Sequence, residues 1–129
     1  MIIDTSAVIA ILKDEPEATA IANSLLQQLC RMSAVSYVEA AVIVDSNKNP
    51  VLSRRLDDLL RDVPIRLESV TPEQAEIARE AYRDFGKGRH KAGLNFGDCF
   101  AYALARATSE PLLFKGDDFR HTDVEVVEF

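Results

Sequence analysis

The sequence predicts a single α/β domain with a short, mainly parallel central β-sheet flanked by α-helices. Three observations lead there. At 129 residues the chain has room for one hydrophobic core and not for two. With 47% apolar and 28% charged residues it is an ordinary globular sequence, too apolar to stay disordered. Its short apolar runs are separated by longer segments of helical spacing, so successive strands cannot be joined as hairpins and must run parallel.

Taken in order, Met1-Ile2-Ile3 is a short buried strand ending at Asp4, and a helix over residues 5–13 follows at once. Asp14-Glu15-Pro16 breaks that helix, and Pro16 suits the first turn of the next. Residues 17–29 then carry Ala18, Ile21, Ala22, Leu25, Leu26 and Leu29 at near-helical spacing. A second strand is expected over 32–35. Ser36 is expected to cap an apolar helix running to about Asn47, with Glu39 at the capping-box position. Asn49-Pro50 opens a helix over 51–61, with Leu52, Leu56, Leu59 and Leu60 on one side. Residues 64–70 alternate as a strand, and Thr71-Pro72-Glu73-Gln74 starts a helix over 73–85 that Gly86 and Gly88 stop. Asn95 or Phe96 opens a last helix to about Thr108. Residues 112–114 form a short strand, 115–121 a polar turn, and 124–127 a final strand.

Composition excludes several chemistries. No apolar run approaches the roughly 20 residues of a membrane span. The N-terminus lacks the basic and apolar regions of a secretory signal, so a cytoplasmic protein is expected. Cys30 and Cys99 stand far apart without a Cys/His cluster and read as buried free thiols. His90 and His121 have no metal-binding spacing. Oxygen chemistry remains. The net charge of −6 argues against nucleic-acid binding overall, yet Arg83, Lys87, Arg89, His90 and Lys91 gather in one glycine-containing stretch. There Arg89, His90 and Lys91 are candidates for phosphate contacts.

Three acids occur where acids are costly. Asp4 ends an apolar strand, and Glu39 and Asp98 are each the only charge in an apolar helix. Asp117-Asp118 follows the strand at 112–114. In an open α/β sheet ligands bind beyond the carboxyl ends of the strands, and all four positions can converge there. Two carboxylates about 5 Å apart repel by roughly 3 kcal/mol at an effective dielectric of 20. A cluster of them therefore calls for a divalent cation, and carboxylates without His or Cys favour Mg²⁺ or Mn²⁺. A structural reading stands beside each assignment. Asp4 caps the first helix, Glu39 closes a box with Ser36, and Asp98 pairs with Asn95. Thr5 and Ser6 either orient the acids or cap, Asn95 either contacts substrate or caps, and Tyr82 and Tyr102 read as core residues.

Met1-Ile2-Ile3-Asp4-Thr5-Ser6-Ala7, Glu15-Pro16-Glu17, Ser36-Tyr37-Val38-Glu39-Ala40, Leu94-Asn95-Phe96-Gly97-Asp98-Cys99 and Leu113-Phe114-Lys115-Gly116-Asp117-Asp118-Phe119 together resemble the PIN-domain ribonucleases, and more narrowly the VapC toxins of toxin–antitoxin pairs. The resemblance spans the whole chain in order. It implies one PIN domain over residues 1–129 and a Mg²⁺-dependent endoribonuclease leaving 5′-phosphate and 3′-hydroxyl ends. It also implies a VapB-like antitoxin partner and a homodimer, assembling with antitoxin into a heterotetramer or larger. Residue by residue it places the family's acids at Asp4, Glu39, Asp98 and Asp118, with Asp117 as a second candidate for the fourth. The family's metal-site hydroxyl falls at Ser6 or Thr5.

Rival readings fit less well. A phosphoaspartyl phosphatase needs a second Asp where Ser6 stands, and a phospho-accepting receiver needs an acid at the end of the middle strand, which closes in Ser69-Val70-Thr71. A catalytically silent PIN-like interaction module would be expected to have lost part of the acidic set, which is intact.

Overall fold

In the computed structural model, which describes residues 1–129, strand ends turn directly into helix starts. Strand β1 (Ile2–Ile3) runs into Asp4, whose carboxylate accepts the Ser6 N–H and caps α1 (Thr5–Leu12). After α2 (Ala18–Leu25), strand β2 (Cys30–Ser33) ends on Ser33, whose hydroxyl accepts the Val35 N–H and caps α3 (Ala34–Ser46). Asn49 caps α4 (Pro50–Asp62), and Thr71 caps α5 (Pro72–Phe85) after strand β3 (Ile65–Glu68). Asn95 and Asp98 form a reciprocal capping box at the start of α6 (Phe96–Thr108), which leads to strand β4 (Leu112–Leu113) and a short 3₁₀ turn (Asp118–His121).

The four strands are all parallel, in the order β3-β2-β1-β4. The chain builds outward from β1 to β3 and then returns to add β4 on the other side of β1. The order therefore reverses between β1 and β4, the place where an open α/β sheet leaves a crevice at its carboxyl edge. Alternation along β1 and β4 splits the core. Ile3 and Leu113 join one cluster with α1 to α4, whereas Ile2 and Leu112 join a second with α5 and α6. No helix is long and apolar enough to cross a membrane.

The architecture agrees with the expected α/β class, and both cysteines are buried and free. Several details differ. The second strand begins at Cys30, because Arg31 must pair with Ile2, and this shortens the preceding helix to Leu25 and leaves Leu26 and Leu29 exposed. The helix cap is consequently Ser33; Ser36 lies one turn inside α3, fully buried, and forms no box with Glu39. The expected final strand at 124–127 is reduced to a single bridge between Leu112 and Val126. Tyr102 is a core residue, its hydroxyl donating to Asp123 at 2.5 Å, but Tyr82 is exposed with the Arg89 guanidinium over its ring.

Candidate active site

At the switch point Asp4, Glu39 and Asp98 line one cup of about 230 Å³, together with Thr5, Ser6, Ile9, Ile43 and Asn95. Each acid arrives by its own route. Asp4 lies at the end of β1 because the strand stops where the first helix needs a cap. Asp98 is placed by the capping box, its Oδ2 accepting the Asn95 N–H at 3.0 Å while Asn95 Oδ1 accepts the Asp98 N–H at 2.8 Å. Glu39 reaches across from the second turn of α3. Its carboxylate lies against Gly97 so closely that a Cβ there would overlap both oxygens.

Asp4 is almost wholly buried, with 2% of its surface exposed. Oδ2 accepts two hydrogen bonds from Ser6, from the N–H at 2.9 Å and from the hydroxyl at 2.6 Å. Oδ1 is buried with no partner. A buried carboxylate oxygen left without a donor is costly, so this atom marks where a cation fits. Burial pushes the Asp4 carboxyl up to about 6; the Glu39 charge adds to the rise, and the Ser6 bonds oppose it. Burial likewise pushes Asp98 up to about 7, with the charges of Asp4, Glu39 and Asp118 adding to it and the Asn95 main-chain bond opposing. The cup is thus a set of like charges that make one another harder to ionise.

No three acidic, histidine or cysteine side chains close into a ready metal cage. That agrees with the donor set: Mg²⁺-type ions keep several waters and take one or two carboxylates, the remaining positions going to substrate phosphate. Asp4 Oδ1, Asp98 and Glu39 are the oxygens of the cup that could hold such an ion.

The remaining candidates separate. Asp118 is exposed at the start of the 3₁₀ turn, and its charge acts on Asp98. Asp117 stands 3.5 Å from His121 Nε2, and neither aspartate of the pair lines the cup. The Ser6 hydroxyl serves the acid directly. The Thr5 hydroxyl donates to the Ser36 carbonyl at 3.0 Å, tying α1 to α3. Arg89 and Lys91 are exposed on the loop that enters α6 and do not line the cup. His90 packs edge-on against Phe85, and its Nδ1 accepts the Ala92 N–H at 3.0 Å, which holds the loop and leaves Nε2 without a hydrogen-bond partner.

Sequence reasoning overlooked Gly97 and Lys115. A glycine in the first turn of an otherwise apolar helix forfeits about 1 kcal/mol relative to alanine, and that departure signals a close approach. Lys115 had no such sign, since its part rests on a main-chain N–H donating to the Ser6 hydroxyl at 3.0 Å.

Comparison with known proteins agrees with this geometry. The PIN domain family model matches residues 1–125. Ribonuclease VapC28 of Mycobacterium tuberculosis is 54% identical over 127 residues, 97% of this chain and 96% of its own length. Ribonuclease VapC of Mycolicibacterium smegmatis is 49% identical over 128 residues, 98% of this chain and 99% of its own. In fold, the crystal structure of Mycobacterium tuberculosis VapC20, a sarcin-ricin loop cleaving toxin, superposes with a TM-score of 0.77 at 15% identity, covering 98% of this chain and 97% of that one. A toxin–antitoxin complex from Klebsiella pneumoniae contains a chain that superposes with a TM-score of 0.74 at 16% identity, covering 99% of this chain and 97% of that one. A β-sheet that reverses order beside Asp4, a cup of carboxylates at that point and near-complete coverage at about half identity converge: the chain belongs to the PIN-domain family and, within it, to the VapC ribonucleases.

Proposed function

We propose that this protein is a Mg²⁺-dependent endoribonuclease, with Mn²⁺ as an effective substitute, acting as the toxin of a type II toxin–antitoxin pair. The observation that carries the reading is the buried, unpartnered Oδ1 of Asp4 facing a cup shared with Glu39 and Asp98. Bare carboxylates repel a phosphodiester, so the cup serves RNA only with its charge neutralised. A bound divalent ion there supplies polarisation of the scissile phosphoryl group and a more acidic water, the chemistry of phosphodiester hydrolysis to 5′-phosphate and 3′-hydroxyl ends.

The chain's own residues divide the remaining work. Asp4 and Asp98 are the primary ligands. Glu39 and Asp118 complete the acidic ring and hold water, and Asp118 is the fourth acid in preference to Asp117. Ser6 fixes the Asp4 carboxylate. Asn95, at the rim of the cup, is available to the substrate through its exposed side chain. Arg89 and Lys91, on the loop leading into the site, contact backbone phosphates and position RNA without reading its sequence. The unpartnered Nε2 of His90 adds a weaker contact of the same kind.

In the same reading the protein is cytoplasmic, homodimeric alone and a heterotetramer or larger when held inactive by a VapB-like antitoxin; the toxin–antitoxin complex among its structural neighbours supports the antitoxin partner. Incubating the purified protein with total RNA tests the chemistry. Cleavage with Mg²⁺ or Mn²⁺, abolished by excess EDTA, is the expected result. Equal cleavage in EDTA removes the metal from the mechanism, and no cleavage under any condition favours a silent binding module.

A further inference from the structure

A second set of contacts converges on Asp4 through Ser6. Ser6 Oγ accepts the Lys115 N–H at 3.0 Å and donates its one hydrogen to Asp4 Oδ2 at 2.6 Å. With its acceptor role taken by Lys115, the hydroxyl has a single orientation that satisfies both neighbours. The Lys115 ammonium in turn bonds the Glu15 carboxylate and stands 3.4 Å from Glu17 Oε2, an oxygen buried with no hydrogen bond of its own. Glu15 and Glu17 belong to the turn between α1 and α2, while Lys115 begins the segment that leaves β4 and carries Asp118. The ion pairs therefore bridge the two chain segments flanking the switch point.

Their value as stability is small, because half-exposed ion pairs are screened by solvent and contribute little on average. Their position is more telling. The ammonium fixes the main chain of Lys115, that main chain fixes Ser6, and Ser6 holds one oxygen of Asp4 so that only Oδ1 remains free. We propose that Lys115, clamped by Glu15 and Glu17, is a positioning residue for the metal site, acting through the Ser6 hydroxyl on Asp4 and through the following loop on Asp118. This rests on the metal-dependent reading of the cup and extends it to residues that touch neither ion nor RNA.

Mn²⁺ binding, read as free Mn²⁺ by electron paramagnetic resonance, tests the proposal without reference to turnover. Supporting partners of metal ligands are worth about 10–100-fold in affinity, so Lys115→Met is expected to weaken Mn²⁺ binding about tenfold while the protein stays folded. Lys115→Arg, which retains the charge, restores most of it. In a Ser6→Ala background Lys115→Met adds little, because residues acting in series are not additive. Wild-type Mn²⁺ affinity in Lys115→Met, or full additivity with Ser6→Ala, overturns the proposal. Should Lys115→Met fail to fold, the double variant Glu15→Gln/Glu17→Gln loosens the same clamp from its other side; the same weakening supports the proposal, and unchanged binding overturns it. If the wild-type protein binds no Mn²⁺ and cuts no RNA, the metal-nuclease reading falls and this proposal with it. If the wild type does both and the variants match it, the positioning role alone falls.

Discussion

From β3 to the entry of β4, charges of alternating sign cross the sheet. Arg66 stands 3.1 Å from Glu68, Arg31 lies 3.7 Å from Glu68 and 3.4 Å from Glu110, and the Met1 ammonium meets Glu110 at 2.9 Å. Beyond the carboxyl end of β1 the arrangement is the opposite: Asp4, Glu39 and Asp98 share one sign and no side-chain cation joins them. Burial works upward on the carboxyls in both places. At Glu110 the hydrogen bond and charge of the Met1 ammonium, with Thr108 and Arg31, outweigh burial and hold the group below the usual range. At Asp4 and Asp98 nothing does, and the groups rise to about 6 and about 7. One region is neutralised by its own chain and the other is not, and that asymmetry is what supports reading the cup as the proposed cation site.

The comparison breaks most visibly at Asp98. Asp98→Asn removes a proposed primary ligand, and its expected loss in metal-dependent RNA cleavage exceeds the roughly hundredfold that supporting residues cost. Its melting temperature without metal is expected to stay equal or rise, because a repelling charge has gone while the side-chain oxygen still accepts the Asn95 N–H. A cleavage assay paired with a thermal scan checks both halves.

Stability against pH sharpens the same contrast. In the unfolded chain Asp4 and Asp98 release protons near 3.8, in the fold near 6 and 7. Between those values the native state holds the more protons, so metal-free protein loses stability as pH climbs from about 4 through about 7. The loss should appear as a fall of several degrees in melting temperature. Thermal scans in EDTA from pH 5 to pH 8 should show the decline, Asp98→Asn should flatten it, and Mg²⁺ should reverse it at pH 8.

At the neutralised end the signs invert. Glu110→Gln takes the charged partner from a fully buried ammonium, at an expected cost of about 1.5 kcal/mol in denaturant unfolding, with cleavage unchanged. The smallest effect is expected at Gly97→Ala. The added Cβ displaces the end of a flexible side chain, Glu39, rather than backbone, so the fold survives while cleavage falls about tenfold, in line with a disturbed support for the site.

Much of this was legible beforehand because it is local. Asp4, Thr71 and Asn95 announce helix starts by residue type, and Asp4 and Asp98 both take part in caps and line the cup, so the structural role does not exclude the proposed one. Ser36 misled because capping residues look alike one turn apart. Only the pairing of Arg31 with Ile2 sets the strand end at Ser33 and releases Glu39 from a cap to reach across to Gly97. The sequence offered His90 as a phosphate contact but not its packing, because nothing in its neighbourhood in the chain reveals that its ring meets Phe85.

By itself the sequence determined the α/β alternation, the order of helices and strands, and the acids carried on apolar segments, since these follow from side-chain periodicity and capping preferences within a few residues. Which acids share a cup, which serine caps, and that Lys115 reaches Ser6 across more than a hundred residues were decided by tertiary structure. Those contacts depend on the reversal of strand order beside β1, and such a reversal is a property of how distant segments pack rather than of any one of them.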